Sequence, residues 1–395
     1  MNYTNAEKMI KTAPTRDIAD NLGRLLARLQ ISQGGPKLIK VYGESGKSSV
    51  TRLVSSVLNA AGYKTGRLTF PIIHNVPNSI CIYEKPLTIE AFTRAAEKVH
   101  KAVSEISKEA KESGSAEDFV PGFYELMFSV ALVAFCDADC DYAVIEIPSD
   151  SFSQVHLENT VIGIISATQS PEVARSICAR MDRNCREIVS AMQSKEVSRL
   201  IFDKCAELNT RLTSPLKNSF LFMSSAIKRS EFTYGGQHYT NGSGAYYQTL
   251  NMLVALETAE ALRRCGLKIP GTDICSAVLC EGIPLRFDVI SVTPTIIIDR
   301  ADSKQRREAL IESYKMLGSN LSATPTIICE DAADVIYDEF SAGGISPQVL
   351  EIKTNGMKKA LRPILKGLSE QDTIIVLGSS CYCEAVAKTT REILM

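Results

Sequence analysis

"KVYGESGKSSVTRLVSSVLNAAG", residues 40–62, joins an apolar run to a helical pattern through a loop of glycine, lysine and serine. The apolar residues of its second part recur at helical spacing, and Gly62 provides a stop after them. This strand–loop–helix order is typical of a phosphate-binding loop, in which backbone N–H groups and the helix dipole hold phosphate oxygens. The stretch therefore predicts an α/β fold with a nucleotide site at this turn.

The loop is shorter than the full consensus, because Val41 stands five residues before Gly46, where a glycine would lie. Lys47 would add a positive charge beside the phosphates, and Ser49 is placed to reach a phosphate-bound Mg²⁺. The alternative interpretation is a tight turn with a solvated lysine. The predicted nucleotide-binding residues of the loop are Gly43, Glu44, Ser45, Gly46, Lys47, Ser48 and Ser49.

Composition argues against several classes of function. The chain of 395 residues has a net charge of -1, with acids and bases spread along it, so neither a nucleic-acid surface nor a membrane surface is indicated. No apolar run approaches the length of a membrane span, and the first residues are too polar for a signal peptide. The histidines and cysteines lack the spacing of a zinc site. We expect a cytoplasmic protein with reduced thiols.

Short apolar runs alternate with helical patterns, which indicates a mostly parallel sheet flanked by helices. Strands are predicted at residues 142–147 and 160–166, and residues 170–212 are predicted to be mostly helical. The charged segment at residues 107–119 is predicted to be a surface loop. A hairpin is predicted to turn on the pair Gly235–Gly236.

A domain boundary is predicted where glycine and proline interrupt the pattern at residues 280–287. The alternation of strands and helices restarts after it. Residues 1–282 are therefore predicted to form a helical lead and a P-loop domain, and residues 283–395 a smaller α/β, Rossmann-like domain.

Four polar residues outside the loop are candidates for chemistry. Glu146 ends an apolar strand, where an acid points into the crevice in which α/β folds bind ligands and can hold Mg²⁺; the alternative is a strand-end acid in solvent. Asp299 ends a strand of the second domain in the same way, and Arg286 lies just past the boundary. Asn251 lies near a helix start, where asparagine is most often a cap or a polar-face residue.

These residues together resemble the folylpolyglutamate synthase and dihydrofolate synthase family, within the Mur ligase superfamily. "GESGKSS", residues 43–49, stands where that family has the short loop Gly-Thr-Asn-Gly-Lys-Gly-Ser, which accounts for the missing first glycine. Further segments are similar in the same order, so that the resemblance covers nearly the whole chain: "YEKPLTIEAFTRAAEKV", "YAVIEI", "YQTLNMLVALETAEAL", "LRFDVISVTPTIIIDRA" and "DTIIVLGSSCYCEAV".

The resemblance implies an ATP- and Mg²⁺-dependent ligase with a large P-loop domain and a small C-terminal domain. Such an enzyme phosphorylates a small-molecule carboxylate, and the amine of an amino acid attacks the acyl phosphate to form an amide; folate and glutamate are the implied pair. The resemblance also implies that Lys47 holds the β and γ phosphates and that Glu146 binds Mg²⁺. Asn251 would face the adenine, while Arg286 and Asp299 would meet the nucleotide from the second domain.

The chain departs from the family in several places. Thr69-Phe70-Pro71-Ile72 stands for Thr-Ser-Pro-His, and residues 148–156 lack the glycines of the family's substrate loop. The family's Asp-His is absent from "SATQSPEV", residues 166–173, and the carbamylated lysine has no counterpart. Asp299-Arg-Ala-Asp-Ser303 replaces Asp-Gly-Ala-His-Asn. A degenerate second-metal site and substrate loop are therefore predicted.

Two other hypotheses remain open from the sequence. One is a nucleotide-binding pseudoenzyme of the same fold with a regulatory or structural role, and the other is an unrelated P-loop ATPase or kinase. ADP release that needs both a carboxylate and an amine would identify the ligase. Stabilisation by Mg-ATP without turnover would identify the pseudoenzyme.

Overall fold

A computed structural model of the chain describes residues 1–15, 21–31, 35–72, 75–113, 119–148, 159–181, 183–278, 282–318 and 321–394. Chain contacts divide it into two compact units. The first comprises Met1–Leu216 and Leu253–Ala277, and the second comprises Lys217–Met252 and Val278–Met395. The domain division between residues 282 and 283 stays a prediction.

The first unit contains a sheet whose central strands are parallel. Its strands are β1 (Lys37–Tyr42), β2 (Thr65–Leu68), β3 (Ile80–Ile82), β4 (Lys85–Pro86), β5 (Tyr142–Glu146), β6 (Thr160–Ile165), β7 (Glu187–Ser190) and β8 (Arg211–Thr213). Over the described residues the strand order is β4-β3-β2-β5-β1-β6-β7-β8, with antiparallel pairing confined to β2–β3 and β3–β4. The predicted parallel sheet is confirmed.

Helices cover this sheet. Their apolar residues recur at helical spacing and so form an apolar face that packs against it. They are α1 (Tyr3–Lys11), α2 (Asn21–Arg28), α3 (Lys47–Ala60), α4 (Ile89–Glu112), α5 (Phe123–Asp137), α6 (Pro171–Ala179) and α7 (Lys195–Glu207). α5 is apolar on all sides and is buried from Glu125 to Phe135. α4 buries one face, with Phe92 and Val99 fully enclosed in the core.

One prediction about secondary structure in this unit is incomplete, and another is wrong. Residues 170–212 contain β7 and β8 as well as α6 and α7. All four residues of β7 are buried, and a short strand buried on both faces lacks the alternation that distinguishes it from a helix. The charged segment from residue 107 belongs to α4 as far as Glu112, since charged residues can occupy its solvated face. Residues 114–118 of that prediction lie outside the described part.

In its described residues the second unit contains two sheets. Its strands are β9 (Phe220–Ala226), β10 (Arg229–Tyr234), β11 (Gln237–Asn241), β12 (Asp288–Val292), β13 (Thr295–Asp299), β14 (Thr326–Cys329), β15 (Gln348–Glu351) and β16 (Thr373–Leu377). The first three form an antiparallel sheet, and the others pair in the order β12-β13-β16-β14-β15, parallel except for β12. Gly235 and Gly236 have φ of 56° and 79°, so the predicted hairpin turn is confirmed.

The remaining helices are α8 (Tyr246–Arg264), α9 (Gly271–Val278), α10 (Lys304–Leu317), α11 (Ala333–Ala342), α12 (Met357–Lys366) and α13 (Ser380–Leu394). The core of the second unit gathers Ile297 and Ile375 from the parallel strands with Leu310 and Phe340 from the helices. Within the described part of the chain, no helix is both long and apolar enough to cross a membrane. The α/β fold class, with a second and smaller sheet region, agrees with the prediction.

Candidate functional site

The glycine-lysine loop lies between β1 and α3, as predicted. Gly43 has φ of 130° and Gly46 has φ of 83°, a backbone conformation that favours glycine. A Cβ on Gly43 would lie 2.2 Å from the Ser166 hydroxyl oxygen, so the loop backbone approaches that residue closely. Gly46 is the N-cap of α3 and has no side chain with which to cap the first amides. Those amides are therefore suited to an anion.

Lys47 is the first residue of α3 and is buried, with 8% of its surface exposed. Its Nζ donates a hydrogen bond of 2.7 Å to the Gly43 carbonyl oxygen. The ammonium group is thus folded over the loop, where a positive charge favours bound phosphate. Ser49, in the same turn of the helix, is also buried.

Glu146 is the last residue of β5 and is buried, with 4% exposed. It pairs with Val41 in the parallel register of β1 and β5, which brings its backbone level with the start of the loop. Its Oε2 accepts a hydrogen bond of 2.9 Å from the Phe70 amide. The Phe70 carbonyl oxygen in turn accepts one of 3.0 Å from the Ser48 hydroxyl. The backbone of Phe70 therefore connects the strand-end acid to the first turn of α3.

The side chain of Phe70 takes a direction that the family resemblance did not predict. Its ring contacts those of Phe123, Tyr124 and Phe128 on α5, at centroid distances of 6.4, 5.3 and 6.2 Å. The residue is buried, with 9% exposed. Aromatic burial replaces the hydroxyl that the family has at this position. Most of the predicted substrate loop, residues 149–156, lies outside the described residues.

Asp299 ends β13 in the second unit and is buried, with 3% exposed. Its Oδ2 accepts hydrogen bonds from the Tyr247 hydroxyl at 2.5 Å and from the Phe287 amide at 3.1 Å. Burial raises the pKa of Asp299 above its ordinary value, against the opposing effect of the Arg286 charge. Burial and the nearby carboxylate both raise the pKa of Tyr247. The hydroxyl of Tyr247 on α8 thus binds a carboxylate that lies 52 positions further along the chain, on β13.

Arg286 donates through Nη1 to the Arg300 carbonyl oxygen at 2.9 Å. Asp302, which replaces a histidine of the family, accepts a hydrogen bond of 3.0 Å from Arg300 and also pairs with Arg306. Burial would raise the pKa of Asp302, but the two arginine charges outweigh it and lower that pKa. The carboxyl end of β13 is therefore a cluster of arginines and carboxylates.

Asn251 lies in α8, where the structure buries it with 8% exposed. Its Nδ2 donates to Oε1 of Gln248 at 3.0 Å, and Gln248 is buried as well, with 3% exposed. Within the described residues, Nε2 of Gln248 has no hydrogen-bond partner. The interpretation of Asn251 as a cap is wrong, because the helix begins at Tyr246 and the amide is bound to a side chain of the same helix.

The chain was also compared with known proteins, and no family model matches it. A probable bifunctional folylpolyglutamate synthase/dihydropteroate synthase of Halobacterium salinarum is 29% identical, over 96% of this chain and 49% of that protein. The chain thus spans about half the length of that bifunctional relative. A folylpolyglutamate synthase of Lacticaseibacillus casei is 23% identical, over 85% of this chain and 81% of its own length.

Solved structures show the same fold. The folylpolyglutamate synthetase of Lactobacillus casei superposes with a TM-score of 0.83 at 21% identity, covering 99% of this chain and 100% of that one. An FPGS–AMPPCP–folate complex has a TM-score of 0.80 at 20% identity, covering 98% and 99% of the two chains. Sequence relatives and structural neighbours thus agree with the resemblance that the motifs predicted. The chain is similar to folylpolyglutamate and dihydrofolate synthases over most of its length, and it has the fold of a solved folylpolyglutamate synthetase.

Proposed function

We propose that this chain is an ATP-dependent ligase that forms an amide from a carboxylate and an amine through an acyl phosphate. The observation that carries the proposal is the arrangement around Phe70, whose backbone joins Glu146 on β5 to Ser48 on α3. These hydrogen bonds connect a phosphate-binding loop to a buried acid, and phosphoryl transfer from ATP uses groups of both kinds.

In this proposal the loop binds the nucleotide phosphates. The amides at the N-terminus of α3 donate hydrogen bonds to the phosphate oxygens. Lys47 exchanges its bond to the Gly43 carbonyl oxygen for the β and γ phosphates. Its burial strengthens this interaction, because a charge is screened less away from water.

Magnesium fits the donors that are present. Over the described residues, no group of three or more His, Cys, Asp or Glu could hold a metal by itself. Mg²⁺ does not need such a group, since it binds one or two protein oxygens together with phosphates and water. Glu146 and Ser49 would provide these oxygens, and the ion would neutralise charge on the transferring phosphoryl group.

The substrates are proposed from the relatives. The curated relatives are named folylpolyglutamate and dihydrofolate synthases, and one neighbour in the fold was solved with AMPPCP and folate. Folate and glutamate are therefore the pair that we propose, with folate providing the carboxylate and glutamate the amine. Asn251, Arg286 and Asp299 are proposed to contact the nucleotide, and the cytoplasmic location expected from the sequence stays a prediction.

A nucleotide-binding protein without ligase turnover is the alternative. The burial of Phe70 among the rings of α5 favours it, because this position supplies no hydroxyl to the metal or phosphate. Such a protein would bind Mg-ATP and release no ADP in response to substrates.

The test is ADP release by the purified chain with Mg-ATP, folate and glutamate. The ligase should release ADP only when the carboxylate and the amine are both present, with an amide product of matching amount. Reactions lacking folate or glutamate, and a panel of other amino acids, serve as controls. Stabilisation by Mg-ATP without ADP release would support the alternative instead, and the absence of both would reject the two functions together.

A further inference from the structure

The phosphate-binding loop contains an acid, Glu44, directly after Gly43. A carboxylate in such a loop should oppose the binding of phosphates, because like charges repel strongly where water is scarce. The resembling family has threonine at this position. The structure shows what this carboxylate contacts.

Glu44 reaches across to the segment that follows β6. Its Oε2 accepts hydrogen bonds from the Gln169 amide at 2.6 Å and from the Ser170 amide at 3.1 Å. Ser170 is the N-cap of α6, so the carboxylate lies at the positive end of that helix. The negative charge of Glu44 is therefore bound by backbone amides at the start of α6.

The same segment, residues 166–170, holds the loop through other bonds, and we call it the clamp segment. The Ser166 amide and hydroxyl both donate to the Tyr42 carbonyl oxygen at 2.9 Å. The amides of Glu44 and Ser45 donate to the Ala167 carbonyl oxygen at 3.2 and 3.0 Å. Each of the two segments thus donates hydrogen bonds to the other, and both backbone and side-chain groups take part.

Gln193, just past β7, fixes the clamp segment from its other side. Its Oε1 accepts from the Thr168 amide at 2.9 Å, and its Nε2 donates to the Ser166 carbonyl oxygen at 3.0 Å. The clamp segment is consequently anchored to the sheet independently of the loop. A contact to it transmits that rigidity to the phosphate-binding backbone.

We infer that Glu44 is a positioning residue for the nucleotide: its carboxylate, bound to the Gln169 and Ser170 amides, holds the phosphate-binding loop in its binding shape. The inference rests on the proposed nucleotide site. A loop that is already ordered loses less conformational entropy when the ligand binds. Removal of this acid therefore weakens the binding of ATP. Charge repulsion alone would predict the opposite, a tighter binding of ATP once the negative charge is removed.

Three substitutions at Glu44 separate the effect of side-chain length from the effect of negative charge. Glu44→Gln keeps the length and one acceptor oxygen but loses the charge, whereas Glu44→Asp keeps the charge and is too short for both amides. Glu44→Ala loses both properties. Glu172→Gln is the matched control, because Glu172 is an exposed acid in the first turn of α6.

The experiment is calorimetric binding of Mg-AMPPCP to the full chain and each variant, with unfolding of the unliganded proteins measured in parallel. Glu44→Ala should weaken the affinity about tenfold and Glu44→Asp at least about threefold, the size expected for lost charge-assisted hydrogen bonds. The affinity of Glu44→Gln should stay within about threefold of the wild-type affinity. Glu172→Gln should bind with the wild-type affinity.

Equal or tighter binding by Glu44→Ala would overturn the inference, and so would an order in which Glu44→Asp binds as wild type and Glu44→Gln does not. If Glu44→Ala does not fold, Glu44→Asp and Glu44→Gln still show whether nucleotide binding depends on the length of this side chain or on its charge. No binding by the wild-type chain would instead reject the proposed nucleotide site, and the inference with it.

Discussion

The Phe70 amide donates a hydrogen bond of 2.9 Å to the carboxylate of Glu146, although the two residues are 76 positions apart. The bond uses the backbone of Phe70, so it does not depend on the side chain that replaced the serine of the family. The bond that orients the strand-end acid is therefore independent of the side chain at position 70. Substitutions at the two residues should have different consequences.

Lys47→Ala should weaken the binding of Mg-ATP by at least about a hundredfold, because a buried positive charge next to the phosphates is lost. Calorimetry or thermal stabilisation by Mg-ATP measures the change. Lys101→Ala is the control, since it removes one positive charge from a lysine that is 80% exposed on α4. Wild-type affinity in Lys47→Ala would reject the assignment of the loop.

Glu146→Gln should make nucleotide binding insensitive to Mg²⁺ while the fold remains intact. The amide oxygen of glutamine can still accept the bond from Phe70, but it is a weaker ligand for Mg²⁺ than a carboxylate. The affinity for ATP is measured with Mg²⁺ and with a chelator, so that each protein is its own control. A variant that keeps the full enhancement by Mg²⁺ would show that Glu146 is not a metal ligand.

Phe70→Ala should lower the free energy of unfolding by about 3 kcal/mol, because it leaves a cavity among the rings of α5. Denaturant titration measures this loss. The binding of Mg-ATP by the folded fraction should change little, since the bonds to Glu146 and Ser48 involve only the backbone. Phe202→Ala is the control, as Phe202 is 62% exposed on α7. Equal stability of the two variants would contradict the buried role of Phe70.

Glu187→Gln should destabilise the first unit at neutral pH but not in acid. Glu187 is buried on β7, where Arg264 binds it at 2.5 Å and Thr213 donates a further bond. Burial opposes ionisation, yet these bonds and the arginine charge lower the pKa of Glu187 below its ordinary value of 4.5. The pair therefore contributes stability above that pH and loses it as the pH falls through the lowered pKa.

We expect a difference of about 2 kcal/mol between wild type and Glu187→Gln at pH 7, less than for a fully buried pair because Arg264 is partly exposed. The difference should vanish as the pH falls well below the ordinary value. Denaturant titrations of both proteins across this range provide the check. Glu172→Gln, at an exposed acid, should show no such pH dependence, and a constant difference for Glu187→Gln would contradict the ion pair.

Much of the fold could be predicted from local patterns. The spacing of apolar residues after Lys47 predicted α3, and the uninterrupted run before Glu146 predicted a buried strand that ends in an acid. β7 was missed, because four buried residues have no pattern that distinguishes a strand from a helix. The end of α4 was missed because charged residues on a solvated face look like a loop.

The sequence by itself determined the strand–loop–helix unit at residues 37–60 and the identity of the strand-end acids, since these depend on residues close together along the chain. Only the tertiary structure decided which residues these acids accept hydrogen bonds from. The bonds of Glu146 to Phe70, of Asp299 to Tyr247 and of Glu44 to Gln169 span 76, 52 and 125 positions. Such contacts follow from strand order and register, which depend on how the entire core packs, and so no local pattern encodes them.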